Sequence, residues 1–287
     1  MTVFLTEHWI EIEAFFNSVF FTSIAGAFAG AYGAQRIAER SKYREQMLKE
    51  MRDTNAAIMI AFGICNSLLS VKKQHVKSLK EDFDFQKAAL LEHHKKVNIG
   101  QISRDEIFDF RTDLMTLSLP PLPVDILQGQ LFEKLSLVGR PLSLATTLSQ
   151  SVHSLNASLE KRNQLIDVYK ASGGVTPVLY FGLPHNNQTD ANYPSVIDAI
   201  FKQADDIIFF SQLLCKDLSE HGNQLAKQFK TKFGKGAPKI SEPDFSKAEE
   251  LGLMPNISSY ADWLTMFVKA PIKERWSCLR LSKCKSK

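Results

Sequence analysis

Residues 14–34, AFFNSVFFTSIAGAFAGAYGA, form a run of 21 residues without a charged side chain. As an α-helix, such a run rises about 31 Å, which matches the roughly 30 Å hydrocarbon core of a lipid bilayer. The run ends abruptly at Gln35, after which basic residues recur at short intervals. Length and boundary together predict one N-terminal transmembrane helix over residues 14–34.

Two other interpretations of this run stay open. A cleaved secretory signal normally begins with Lys or Arg, whereas Glu7, Glu11 and Glu13 precede the run. A helix buried in a soluble core would also be apolar, but the sharp charge step after residue 34 is not typical of one. The transmembrane interpretation is therefore favoured over both.

The basic residues after the run predict its orientation, because Lys and Arg are enriched on the cytoplasmic side of membrane helices. Residues 1–13 would then lie outside the cell, and the main domain would be cytoplasmic. The sequence thus predicts a single-pass protein of the cell (inner) membrane. The residues of this collar that we expect to contact lipid headgroups or other anions are Arg36, Arg40, Lys42 and Arg44.

A second basic segment closes the chain. Residues 269–287 carry seven Lys or Arg against one Glu, whereas the net charge of the whole chain is only +4. This basic amphipathic tail is predicted to contact the anionic inner leaflet; a solvated tail is the alternative. Nucleic-acid binding is not favoured, because no recognised reading module accompanies the charge. The tail residues predicted to bind the membrane surface are Lys273, Arg275, Trp276, Arg280, Lys283 and Lys285.

One stripe of the predicted span consists of small residues. Gly26 and Gly30 form a GxxxG pair, which lets two helix backbones approach closely in lipid. The stripe predicts a homo-oligomer, although Ala and Gly are also common in membrane helices that do not pair. The residues predicted to form the helix–helix contact are Ser23, Gly26, Ala27, Gly30 and Ala34.

The rest of the chain is predicted to be mainly α, with residues 35–235 forming an elongated antiparallel helical bundle. Apolar residues recur at helical spacing over three long segments, 47–97, 141–171 and 193–233. Short helices are predicted from Ser103 and Asp125, and a short strand within TPVLYFGLP. Residues 236–268 are predicted to form a linker and short helices.

Seven residues between Met47 and Leu68 follow alternating four- and three-residue steps, which is typical of a coiled-coil seam. We call these residues the seam. Such a stripe packs either against its own domain or against a second chain, and the sequence leaves both open. The seam residues are Met47, Met51, Thr54, Ile58, Ala61, Cys65 and Leu68.

No catalytic signature is present: the sequence has no Walker A loop, no GxSxG elbow and no HExxH motif. Asp105, Asp109 and Asp113 would share one stripe of a helix, but a solvated acidic face is the commoner meaning of such a pattern. His93 and His94 are adjacent, so on a helix they diverge and are expected on the surface. No cofactor or metal is predicted, and an enzyme is not favoured.

Three buried side chains are expected from their apolar surroundings. Cys65 and Cys215 lie in apolar helical patterns and are predicted to be free thiols, which fits a reducing compartment. Arg162 falls within the apolar stripe of its helix, so it is either a buried ion-pair partner or a side chain that reaches out to solvent.

These features favour a membrane-anchored, self-associating interaction module that acts as a scaffold, sensor or effector with an unidentified protein partner. Two alternatives follow from the same residues. One is a membrane-perturbing toxin or defence effector, whose spans associate when the bundle is triggered. The other is an enzyme whose site is assembled from separate helices.

Overall fold

The computed structural model describes residues 19–103, 105–185 and 188–267. The predicted external terminus, the first five residues of the predicted span and the predicted basic tail therefore lie outside the described residues. Within the described ranges the chain is mainly helical and contains no β-strand, which confirms the prediction that the chain is mainly α.

Three long helical stretches dominate the structure, and they confirm the three long segments predicted from apolar spacing. The first runs through α1, a π-helical turn and α2, and the other two are α4 and α6. In chain order the segments are α1 (Val19–Val71), the π turn (Lys72–Val76), α2 (Lys77–Asn98), α3 (Val124–Glu133), α4 (Arg140–Ala171), α5 (Pro177–Phe181), α6 (Asn192–Phe233), α7 (Ser246–Glu250), a 3₁₀ turn (Ile257–Tyr260) and α8 (Ala261–Thr265).

The chain divides into two compact units. The first unit comprises residues 1–56 and 218–241, and the second comprises residues 57–217 and 242–287. Each of the long helices α1 and α6 contributes residues to both units.

In the first unit, α1 packs against α6 in the antiparallel sense. The guanidinium of Arg40 donates a hydrogen bond to the carbonyl oxygen of Lys232 at 3.3 Å. Ten residues further along α1, Glu50 pairs with His221 across 3.2 Å, so partner numbers fall as α1 advances. The segment after α6 folds back onto α1. The side-chain amide of Asn55 donates to the carbonyl oxygen of Lys239 and accepts from the backbone N–H of Ser241, each at 2.9 Å.

In the second unit, α1 and α6 also run antiparallel. The thiol of Cys65 lies 3.7 Å from the carbonyl oxygen of Ile208, and the thiol of Cys215 lies 3.8 Å from that of Ile58. The seam has residues in both units, with Met47, Met51 and Thr54 in the first and the other four in the second. All seven seam residues are at most 4% exposed within the single chain. The chain's own residues therefore cover the seam, which favours packing within the chain over pairing between chains.

The predicted helix from Ser103 is wrong. Ser103 does begin one turn, in which its carbonyl oxygen accepts the backbone N–H of Glu106, but residues 106–123 then run without helical structure. We call residues 105–123 the strap. Its apolar side chains pack against the core of the second unit, which an extended path permits; these side chains are Phe108, Phe110, Leu114 and Leu117.

Side chains from the neighbouring helices bind the backbone of the strap. Arg162, which is 0% exposed, donates to the carbonyl oxygens of Met115 at 2.6 Å and Asp113 at 3.2 Å. Asn163 both donates to and accepts from the backbone of Leu117, at 2.8 and 3.0 Å. These bonds replace the partners that a helix would supply. The guanidinium of Arg162 also lies 3.6 Å from a carboxylate oxygen of Asp113, so Arg162 is the buried ion-pair partner that one of the two sequence interpretations predicts.

The predicted strand within TPVLYFGLP is also wrong, because these residues form α5. Thr176 caps the helix by accepting a hydrogen bond from the N–H of Leu179, and Pro177 occupies the first helical position. Gly182 ends it in the left-handed conformation with φ of 61°. A side chain at Gly182 would also meet Pro194 at 2.8 Å, so the turn requires glycine.

Replacing Arg162 by Met should lower the free energy of unfolding by about 3 kcal/mol, because two charge-assisted hydrogen bonds to the strap are lost. The measurement is denaturant unfolding of the full chain in mild detergent, with limited trypsin digestion at Arg111 as a local readout of strap release. Lys161→Met removes an exposed neighbouring cation on the same helix and should change stability by no more than about 0.5 kcal/mol. Equal effects of the two substitutions would contradict the assigned role of Arg162.

Candidate membrane-facing surface

The first part of α1 exposes its side chains on every side. From residue 23 to residue 46 every position is exposed except Gly33, which is half-buried. The exposed side chains include large apolar ones, namely Ile24, Phe28, Tyr32 and Ile37. A helix packed in a soluble core would bury residues here, so the structure disfavours that interpretation of the opening run.

The small residues predicted to mediate self-association lie on this exposed stretch. Helical geometry places all five within an arc of about 100° around the helix axis, and Phe28 and Tyr32 lie on the other side of the helix. A Cβ atom built at Gly26 or Gly30 meets nothing within 4 Å. The stripe is therefore open for a neighbouring helix; its members are Ser23, Gly26, Ala27, Gly30 and Ala34.

One helical stretch of the described chain, Ser23–Asn98, is long and apolar enough to cross a membrane. Of the residues in its most apolar 18-residue segment, 44% are buried within the chain. Since no residue from 23 to 46 is buried, that segment lies further along α1 and overlaps the seam. The apolar character of the described part thus includes a core-packing stretch as well as the exposed one.

The four collar residues predicted to bind anions fall into three groups. Arg40 and Arg44 continue the register of the seam, so they face α6, where their guanidinium carbons lie 5.8 Å from the ring centres of Phe233 and Phe229. Lys42 is exposed on another side of α1.

Arg36, the remaining collar residue, turns back along α1 toward the predicted span. Its guanidinium donates to the hydroxyl of Tyr32 at 2.6 and 2.9 Å and lies over the same ring. Tyrosine and arginine side chains are both typical of the zone where a membrane helix leaves the hydrocarbon.

Sequence reasoning overlooked the basic residues at the end of α6. They come close to the collar only because α1 and α6 pair in the first unit, and their distance along the chain from residue 36 hides this. All are exposed: Lys227, Lys230, Lys232, Lys235 and Lys239.

Basic residues are concentrated in the described part of the first unit. It contains eleven Lys or Arg against five Asp or Glu, whereas the described part of the second unit contains sixteen against twenty-two. Over the full residue ranges the difference is small, because Glu7, Glu11 and Glu13 lower the charge of the first unit to +3 and the basic tail raises that of the second to +1. The predicted anion-binding residues of the tail, Lys273, Arg275, Trp276, Arg280, Lys283 and Lys285, lie outside the described residues.

The carboxylates of the chain do not converge on a reactive site. Asp105, Asp109 and Asp113 lie on the extended strap and share no helical stripe. Asp205 pairs with Lys72, whereas the neighbouring Asp206 accepts a hydrogen bond from Tyr260 at 2.9 Å. Burial raises the pKa of both Asp205 and Asp206. Across the described ranges, no group of three His, Cys, Asp or Glu residues could hold a metal ion.

Lys72 is a buried cation that the sequence pattern did not single out. It is 3% exposed, lies at the start of the π turn, and donates to the carbonyl oxygen of Leu253 at 2.8 Å as well as to Asp205. The ring of Tyr260 stacks on Phe209 at 3.8 Å. These contacts hold residues 253–260 against the helices of the second unit, so their role is structural.

The two adjacent histidines differ in their surroundings. His94 is exposed as predicted, whereas His93 is half-buried with its ring centre 5.4 Å from that of Phe108 on the strap. Neither ring nitrogen of His93 has a hydrogen-bond partner among the described residues. The pair therefore contributes one surface residue and one packing residue.

Comparison of the chain with protein-family models, with curated proteins and with solved structures gives no match.

Cys65 and Cys215 are buried free thiols, as predicted. Burial raises the pKa of Cys65 from about 9 to about 11, and it also raises the pKa of Cys215. Both thiols are therefore protonated near neutral pH and are poor nucleophiles. This disfavours a cysteine-based enzyme within the described part of the chain.

In a Cys278→Ser, Cys284→Ser variant, we expect no reaction with a thiol reagent at pH 8 until denaturant is added. Because the folded pKa of Cys65 lies above the unfolded value, its stabilising contribution is complete below about pH 9 and is lost as the pH rises toward 11. The thermal midpoint should therefore fall over that window, and it should fall less in a further Cys65→Ala variant. Rapid labelling of the native protein would contradict the burial of these thiols.

Proposed function

We propose that this chain is a single-pass membrane protein that works as a membrane-anchored, self-associating helical interaction module. In this proposal residues 14–34 cross the cell (inner) membrane and residues 1–13 lie outside. The cytoplasmic part, residues 35–235, forms an elongated antiparallel bundle that binds a protein partner as a scaffold, sensor or effector.

The observation that carries this proposal is the exposed first part of α1. Its apolar side chains from Ile24 to Ile37 are left exposed by the described residues, and water is an unfavourable environment for a surface of this kind. Lipid on most sides and a second copy on the small-residue stripe would cover it. The abrupt change from this stretch to the positively charged collar supports the same boundary near residue 35.

The orientation follows from the positive charge of the first unit. The collar, together with Lys49 and Arg52, places six basic residues within 18 positions of the C-terminal end of the predicted span. Basic residues within short distance of a span are retained on the cytoplasmic side. The main domain is therefore proposed to lie in the cytoplasm.

Self-association is proposed to occur within the membrane. The seam is covered by the chain itself, so it offers no surface to another copy. The stripe of small residues is exposed, and two such stripes can bring helix backbones into van der Waals contact in lipid.

The proposed span should retain the full-length chain in the membrane pellet after an alkaline wash, whereas a chain that starts at Gln35 should wash off. A matched full-length control, Ile24→Lys with Phe28→Lys, should also wash off, because each charge at the centre of a membrane helix costs about 3 kcal/mol. Release of the unmodified full-length chain would contradict the proposal. Retention of all three proteins would mean that another segment provides the anchor.

Replacing Gly26 and Gly30 by Ile should weaken self-association of the full chain in detergent micelles roughly tenfold or more, which corresponds to about 1.4 kcal/mol. The added side chains fill the open side of the stripe and keep the two backbones apart. The measurement is energy transfer between two labelled populations of the protein. Ala25→Ile with Phe28→Ile, on the opposite side of the helix, is the control and should leave the transfer unchanged; an equal loss in both variants would contradict pairing through the stripe.

A further inference from the structure

The end of α6 lies close to the predicted membrane boundary. Arg40 contacts the backbone of Lys232 within the first unit, and Arg40 is six residues beyond residue 34, which is about 9 Å along a helix. The polar layer of a bilayer extends roughly 5 to 8 Å beyond the hydrocarbon core on each side. If residues 14–34 span the membrane, the end of α6 therefore faces the headgroups.

The basic side chains at this end are available for an anionic ligand. We call Lys227, Lys230, Lys232 and Lys235 the α6 tip. All four are exposed, and none forms an ion pair with a carboxylate of the described residues. Residues 218–241 contain a single acidic residue, Glu220, which lies seven residues before Lys227.

The arginines of the collar hold the tip in place rather than compete with it. Arg40 and Arg44 cover the rings of Phe233 and Phe229, which are the last aromatic residues of α6. The ammonium of Lys232 lies 4.4 Å from the ring centre of Tyr43 and donates to its hydroxyl at 3.1 Å. The end of α6 is thus fixed to α1 by three cation–aromatic contacts, one of which uses Lys232 of the α6 tip.

The turn after α6 contains Lys235, two residues beyond the last helical residue, Phe233. Gly234 and Gly236 flank it with φ of 79° and 106°, a backbone conformation that allows the chain to leave the helix and reverse sharply. Ile240 then returns to the helix pair, where it covers Gly222. Lys235 is exposed in this turn.

We propose that the α6 tip is a second membrane-contact site, which binds the headgroups of anionic phospholipids. The inference rests on the proposed function, because the span brings the tip to the bilayer surface. Lysines suit a fluid headgroup layer, since each acts as a point charge without a fixed geometry. Each basic residue near an anionic surface strengthens binding roughly fivefold.

The consequence is that the cytoplasmic helices are held to the bilayer at a second point, besides the span. One helix crossing a membrane leaves the domain behind it free to rotate and tilt. Binding of headgroups by the α6 tip would restrict that motion in membranes rich in anionic lipid. Lipid composition would thereby regulate which faces of the domain are presented to a partner.

The test uses the full chain in lipid nanodiscs, made either of phosphatidylcholine alone or of phosphatidylcholine with phosphatidylglycerol. A donor dye is placed at Gln228→Cys in a Cys278→Ser, Cys284→Ser background, in which Cys65 and Cys215 are buried. Acceptor dyes are on the lipid headgroups. We expect energy transfer to increase severalfold in the phosphatidylglycerol discs and to fall when salt is added.

The tip variant is Lys227→Gln, Lys230→Gln, Lys235→Gln, which keeps Lys232 on Tyr43. It should lower the transfer in phosphatidylglycerol discs to the value in phosphatidylcholine discs. The matched control, Lys161→Gln, Lys170→Gln, Lys216→Gln, removes three exposed lysines of the second unit and should leave the transfer unchanged. Folding of each variant is checked by the continued protection of Cys65 and Cys215 from a thiol reagent.

Equal transfer in the two lipid compositions, or an unchanged response in the tip variant, would overturn the proposal. The proposal would also be overturned if the protein did not respond to phosphatidylglycerol but bound single-stranded DNA, and if the tip variant lost that binding. The ligand of the α6 tip would then be nucleic acid. Alkaline extraction of the same preparation is measured first. Extraction of the chain contradicts the span, whereas a chain that resists extraction but does not respond to phosphatidylglycerol contradicts only the α6 tip.

Discussion

The packing of α1 against α6 is the interaction on which the rest of the structure depends. Within each unit the two helices run antiparallel, and the seam on α1 is covered over its whole length. Burying a large aliphatic side chain contributes about 1.5 to 3 kcal/mol, so several such residues provide a substantial share of the stability. The same packing determines which surfaces of α1 are left for lipid or for another chain.

The change from seam to collar shows how one helix face serves two purposes. Along the same register, apolar seam residues give way to Arg40 and Arg44, whose planar cations lie over aromatic rings of α6. The arginines thereby cover the aromatic side chains at this end of the helix pair. Beyond the arginines, α1 continues without a partner within the described chain. The boundary between packed and exposed helix is therefore built from cation–aromatic contacts.

The sequence was sufficient for the long helices and for the buried thiols, because both depend on apolar residues repeating at helical spacing. It was insufficient for the strap. Ser103 has a sound capping pattern, but Arg162 and Asn163, about 50 positions further along, bind the strap backbone in an extended path. The opposite error occurs at residues 176–184, where a strand was predicted and a helix forms. The β-favouring residues there are outweighed by the helix cap of Thr176 and by Pro177 in the first turn. Lys72 and the α6 tip depend on tertiary neighbours that no local pattern encodes.

The basic residues that follow the exposed stretch of α1 have a kinetic consequence. Together with the lysines in and just after the end of α6, they make the described part of the first unit positive by six charges, so an anionic surface attracts this part of the molecule before any atoms touch. Counter-ions screen this attraction, which at physiological ionic strength falls off over a distance of about 8 Å. In the proposed membrane arrangement, the attraction would bring the exposed apolar stretch of α1 close to the lipid. Electrostatics would then affect the rate of insertion, while apolar burial would determine its permanence.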